Sequence, residues 1–204
     1  MRTVKGSFSA LVRKAVWVPL AALVLFPVVA TSVTAAELPL VEPNPAPETL
    51  KVTLGIKGDR IPNENVFKGF GCNGGNTSVA VSWSGAPKET KSFALIVHDP
   101  DAPTGVGFFH WSVFDIPANV TSLEEGASPG KLPKGAMEGY TDFGGHGYGG
   151  PCPPPGPAHR YIFTVYALKV PSLGMKANAT GALLRFVLNG NSLALGRAVA
   201  TYSR

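Results

Sequence analysis

The 204-residue sequence is poor in charge: only 15% of its residues are Asp, Glu, Lys or Arg. Its net charge of +5 suggests an anionic partner until it is located. Residues 1–36 hold Arg2, Lys5, Arg13 and Lys14 and no acid; without those four of the 18 basic residues, 14 remain against 13 acids. No run of like charge and no basic–aromatic stripe is left, so nucleic acid is excluded as a partner. The H-E-x-x-H, G-x-S-x-G and P-loop lysine patterns are also missing, and with them the commonest short signatures of metalloprotease, serine hydrolase and nucleotide chemistry. GFGCNG (69–74) has the form G-x-G-x-x-G, but TSVAVSW after it reads as a strand where a dinucleotide site needs a helix, so Gly69, Gly71 and Gly74 are assigned to turns. There are two cysteines, Cys72 and Cys152, and none near the apolar leader, which argues against a lipoprotein.

The leader has the layout of a secretory signal. A basic segment ends at Lys14, AVWVPLAALVLFPVVA supplies the apolar stretch, and TSVTAA offers small residues for cleavage near Ala36. The rival reading is an uncleaved anchor; Pro19, Pro27 and the polar TSVT argue against a stable spanning helix. Residues 1–36 are therefore read as a signal peptide, 37–49 as a Pro-rich spacer and 50–204 as one domain, periplasmic or secreted, with at most peripheral membrane contact. An oxidising compartment permits a Cys72–Cys152 disulfide; two buried thiols are the equal alternative.

Five segments read as strands: LKVTLGIK (50–57), SVAVSW (78–83), SFALIVHD (92–99), HWSVFDIP (110–117) and RYIFTVYALKV (160–170). They are rich in β-branched and aromatic residues and bounded by Gly, Pro or Asp. Helix signals wait for the end, with TGALLRFVLNG starting at Thr180 and NSLALGRAVATYSR capped by Asn191. The expected fold is mainly β, a sandwich with peripheral and C-terminal helices.

The irregular stretches 67–78 and 127–158 are long enough to suggest function. All four histidines, His98, His110, His146 and His159, fall within 98–159, and Pro100 and Pro103 end a strand at Asp99 and Asp101. Carboxylates favour imidazolium in a nearby histidine, and successive Gly-rich amides can form a donor nest. Together they suggest a preformed anion pocket walled by GYGGPCPPPGPA, with His159 on its rim. Taken singly, the bland readings hold: Asx turns for the aspartates and a satisfied core position for His110.

The segments DPDAPTGVGFFHW, GYGGPCPPPGPAHRY and GCNGGNTSVAVSW resemble the signature segments of the phosphatidylethanolamine-binding protein family, also called the Raf kinase inhibitor protein family, in its bacterial form. The resemblance spans roughly residues 50–202. It implies a β-sandwich with C-terminal helices and a surface pocket for phosphate, acetate or phosphorylated head groups. Carried over, the pocket aspartate is Asp99, with Asp101 and Pro103 shaping the turn. The histidines are His110, before Trp111, and His159, while Tyr148, Gly150 and Pro151 line the Gly/Pro loop. Members often show N-x-S-P where this chain has Asn76-Thr77-Ser78-Val79.

The functional expectation is a non-enzymatic binding protein for a small anion, phosphate or a phospholipid head group, with no cofactor and no metal. The alternatives are a protein-directed inhibitor of a protease or kinase and, behind it, a hydrolase using Cys152 or a water activated by His110 and Asp99. The hydrolase lacks an identifiable oriented base and oxyanion hole.

Overall fold

A computed structural model describes residues 46–204. The signal peptide expected over 1–36 and the spacer as far as residue 45 lie outside the described residues. No helix among the described residues is long and apolar enough to cross a membrane.

All five expected strands form, as β1 (Lys51–Leu54), β4 (Val81–Ser84), β5 (Ser92–Asp99), β6 (Phe108–Pro117) and β9 (His159–Leu168). Short strands fill the irregular regions: β2 (Lys68–Gly69), β3 (Cys72–Asn73), β7 (Ser122–Leu123) and β8 (Met137–Glu138). A five-stranded antiparallel sheet runs β10-β9-β5-β6-β8, where β10 spans Ser192–Tyr202. A three-stranded sheet runs β1-β4-β7, and β2 and β3 make a separate hairpin.

The two larger sheets bury their facing side chains in one core. Val81, Trp83 and Leu123 from the small sheet meet Phe93, Leu95, Val97, Trp111, Phe163 and Val165 from the large one. Strands β5, β6 and β9 are buried almost throughout because both of their faces are covered. The second face carries its own core, in which Ala94, Ile96, Phe114 and Tyr166 pack under Leu184 and Leu188 of the helix α1 (Gly181–Asn191). Thr180 caps this helix, its side chain accepting from the Leu183 N–H. Leu184 and Leu188, one turn apart, put a single stripe on the sheet.

The second C-terminal helix does not form. Residues 192–202 instead pair with β9 from Ser192↔Leu168 to Tyr202↔His159. Leu and Ala gave the segment a helical look, but β9 offers an open edge and the pairing buries Ala194, Leu195 and Ala200. Gly196 allows the strand to cross Leu50: a Cβ there would stand 2.2 Å from the Leu50 carbonyl oxygen. The fold is thus a mainly β sandwich with one α-helix among the described residues.

Candidate functional site

Strand β5 runs antiparallel to both of its neighbours, so its C-terminal end meets the N-terminal ends of β6 and β9. Asp99 therefore stands beside Phe108 and His110 on one side and His159 and Tyr161 on the other. A period of two puts Phe108 with His110, and His159 with Tyr161, on a common face. Val97 pairs with Trp111 and His98 with Phe109, which leaves His110 as the extra residue of a β-bulge. The bulge lets His110 and the next residue, Trp111, both turn to the inner face.

These side chains line a cavity that gives about 130 Å³ to water-sized groups, open to solvent and closed on its other sides by Ala102, Pro103 and Thr104, by Phe70 and Phe143, and by Cys152, Pro153 and Pro154. Asp99 is only 3% exposed. Its Oδ1 accepts from the N–H groups of Asp101 (2.8 Å) and Ala102 (3.1 Å), and its Oδ2 accepts from His159 Nδ1 at 2.8 Å. Burial raises the Asp99 pKa above the usual carboxylate value, against the opposing pull of His159. The whole carboxylate is spent on holding the 99–102 turn and orienting the His159 ring.

His110 departs from the sequence reading. Its Nδ1 lies 2.7 Å from the Gly149 carbonyl oxygen, which can only accept, so Nδ1 carries the proton. Burial lowers its pKa to about 4. His110 is a neutral imidazole at neutral pH with a lone pair on Nε2, and the expected second imidazolium is corrected. The expected nest of free loop amides is corrected too. Tyr148 N–H donates to Ser128 Oγ, Gly149 N–H to the His110 carbonyl and Gly150 N–H to Asn76 Oδ1. The glycine loop is a wall, and its donors from 148 to 150 are consumed by the fold.

Of the nine residues singled out in the sequence, Asp99, Pro103, His110 and His159 line the cavity. The other five are not among its lining residues. Asp101 faces Arg160 instead, accepting at Oδ1 from Nη2 (2.6 Å) and at Oδ2 from Nε (2.8 Å), a pairing that lowers its pKa. Trp111 is fully buried and donates its indole N–H to Glu138 Oε1 at 2.8 Å. Tyr148 and Pro151 gather with His110, Val97 and Phe163 around a space too tight to admit water. Gly150 is required by close packing, because a Cβ would stand 2.1 Å from the Asn65 carbonyl oxygen. His98 is a buried core residue, donating through Nε2 to the Val106 carbonyl at 3.2 Å, and His146 is exposed beside Tyr140.

Asn76, at the altered signature turn, sits at φ 52° and clamps the glycine loop, donating to the Tyr148 carbonyl (3.1 Å) and accepting from Gly150. Cys72 and Cys152 are joined by a disulfide, with Cα atoms 6.0 Å apart, which settles the question left open by the cysteine count.

The aromatic walls were missed in the sequence. Phe108 and Tyr161 were legible, each two residues from a cavity histidine. Phe70 and Phe143 come from irregular segments, where no periodicity points at them. Among the described residues no group of three His, Cys, Asp or Glu side chains is arranged to hold a metal ion.

A large antiparallel sheet backed by a smaller one, with a pocket at the ends of its three central strands, defines a pocketed β-sandwich. The sequence model described as phosphatidylethanolamine-binding protein matches residues 57–203, and the chain belongs to that family. The UPF0098 protein YbcL of Escherichia coli K12 is 49% identical over 149 residues, or 71% of this chain and 81% of YbcL. UPF0098 protein YbhB of the same strain is 42% identical over 148 residues, covering 72% and 94%. The crystal structure of E. coli YbcL matches with a TM-score of 0.74 at 46% identity, covering 76% of this chain and 99% of that one. A Chlamydia trachomatis homologue gives 0.66 at 32% identity, covering 77% and 99%.

Proposed function

We propose that this chain is a non-enzymatic binding protein that holds a singly protonated phosphate group, free or as a phosphomonoester, in the cavity at the ends of β5, β6 and β9. The observation that carries the reading is the Asp99–His159 pair on the cavity wall beside a neutral His110. His159 bonds Asp99 through Nδ1; a bound anion beside the ring favours its imidazolium form, in which Nε2–H is a charge-assisted donor to the anion. Asp99 does not repel the ligand strongly, since both its oxygens are already engaged. His110 Nε2 accepts from the ligand P–OH. One donor and one acceptor select a phosphate that keeps a P–OH over a fully ionised one.

Cys152 cannot serve a hydrolase as its nucleophile, because it is held in a disulfide. Export to a periplasmic or extracellular space accords with that disulfide and with the leader. A protein-directed inhibitor would use the same mouth as its contact surface.

Calorimetric titration of inorganic phosphate into the wild-type protein and a His159→Ala variant tests the reading. Affinity should fall by roughly 1.5–3 kcal/mol in the variant with thermal stability nearly unchanged. Unchanged affinity with a large loss of stability would make His159 a structural residue.

A further inference from the structure

The cavity is larger and more apolar than a phosphate needs. Its interior gives about 130 Å³ to water-sized groups, where a single water needs roughly 10–15 Å³. The histidines occupy one side only. Apart from Asp99 and Thr104 the rest is aromatic and aliphatic, with Phe70, Phe108, Phe143, Tyr161 and Pro153 beside Cys152.

Phe70 is the unusual member. It sits at the turn of the β2–β3 hairpin with φ 51°, a left-handed conformation that is unfavourable for a bulky side chain. Its ring is 69% exposed although it contacts Phe67 (centroids 5.3 Å apart) and stacks on Phe143 (5.8 Å). Two ties hold the hairpin in place. The Cys72–Cys152 disulfide joins it to the proline loop. Arg204 spans both walls, its Nε donating to the Pro153 carbonyl (2.6 Å) and Nη1 to the Phe70 carbonyl (3.3 Å). A strained, solvent-facing ring, on a hairpin cross-linked to the adjoining wall of a cavity, is placed for a contact made by a ligand.

We infer that the Phe70 hairpin is a second subsite, secured by the disulfide, for the apolar substituent of a phosphomonoester whose phosphate rests on His110 and His159. This rests on the phosphate reading above and adds the class of ligand: a phosphate ester of an aryl or alkyl alcohol. The substituent lies along Phe70 and Phe143, while Cys152 and Pro153 close its other side. Reduction frees the hairpin from the proline loop and removes the subsite without disturbing Asp99, His110 or His159, which stand on the central sheet.

The test is calorimetric titration with inorganic phosphate, phenyl phosphate and hexyl phosphate. The proteins are wild type, Phe70→Ala, Phe70→Leu and the Cys72→Ser/Cys152→Ser pair, each checked for folding by circular dichroism. In the wild type at least one ester should bind about tenfold or more tightly than phosphate, the gain of one well-buried apolar group. Phenyl ahead of hexyl assigns the subsite to aromatic esters, and hexyl ahead of phenyl assigns it to lipid-like ones. In Phe70→Ala and the cysteine pair the ratio of ester to phosphate affinity should fall toward one, with Phe70→Leu between. Should the serine pair fail to fold, the Phe70 variants decide the matter.

Esters no tighter than phosphate would overturn the subsite and leave the phosphate reading standing. Equal losses for phosphate and esters in Phe70→Ala would make Phe70 a structural residue. Failure of all three probes on the wild type would bring down both readings.

Discussion

Acidification should unfold this protein through its buried histidines. His98 and His110 are 5% and 4% exposed, and burial holds the pKa of each at about 4, against an ordinary 6.5. The neighbouring Arg185 guanidinium adds to the effect at His98. A pKa depressed in the folded state means that the unfolded chain takes up the proton first. The stability from burying a neutral ring is therefore complete above pH 6.5 and is lost as pH falls toward 4. Each histidine contributes a slope of up to about 1.4 kcal/mol per pH unit across that window, a total on the order of 3 kcal/mol. Two such losses are a large share of a typical stability of roughly 5–15 kcal/mol. Asp99 works the other way: its raised pKa gives a contribution that grows as pH falls, so it offsets part of the loss at the acid end. Urea unfolding followed by tryptophan fluorescence at pH 7.5, 6.5, 5.5 and 4.5 measures the slope. His98→Gln, a change outside the cavity, should remove about half of it whatever it does to stability at pH 7.5. A flat profile down to pH 4.5, or a variant with the wild-type slope, would refute the reasoning.

Two further perturbations address the walls. Replacing Cys72 and Cys152 by Ser opens a loop of 80-residue sequence separation; the chain-entropy estimate is about 4.5 kcal/mol, and a melting temperature lower by roughly 10–15 °C is expected. A change within about 2 °C would contradict it. Gly150→Ala drives a Cβ into the Asn65 carbonyl and the Phe67 amide, backbone atoms that cannot rotate aside, so it should destabilise by about 1–3 kcal/mol or more; wild-type denaturant unfolding would count against the packing described.

The sequence carried the central sheet and the cavity residues at its strand ends, because runs such as SFALIVHD and RYIFTVYALKV state both strand and boundary. It also carried α1, whose Thr180 cap and Leu184/Leu188 stripe are local. Residues 192–202 misled because their pairing with β9 is a tertiary fact that overrides a helix-prone composition. Asp101 and Trp111 were legible as family positions, yet their contacts with Arg160 and Glu138 are long-range and point away from the cavity. The protonation of His110 was illegible for the same reason: burial and the Gly149 carbonyl set it, and neither is visible beside it in the chain. The glycine loop looked like a donor nest until Ser128, Asn76 and the His110 carbonyl took its amides.

The four histidines supply their own control for the central claim, since His110 and His159 line the cavity while His98 and His146 do not. Long-range proton–nitrogen NMR of the imidazole rings, recorded at neutral pH with and without inorganic phosphate, reads all four together. Phosphate should shift the ring nitrogens of His110 and His159 and leave those of His98 and His146 in place, with His110 remaining a neutral ring protonated at Nδ1. Shifts confined to the exposed His146, or a His110 ring that is cationic at neutral pH, would contradict the account.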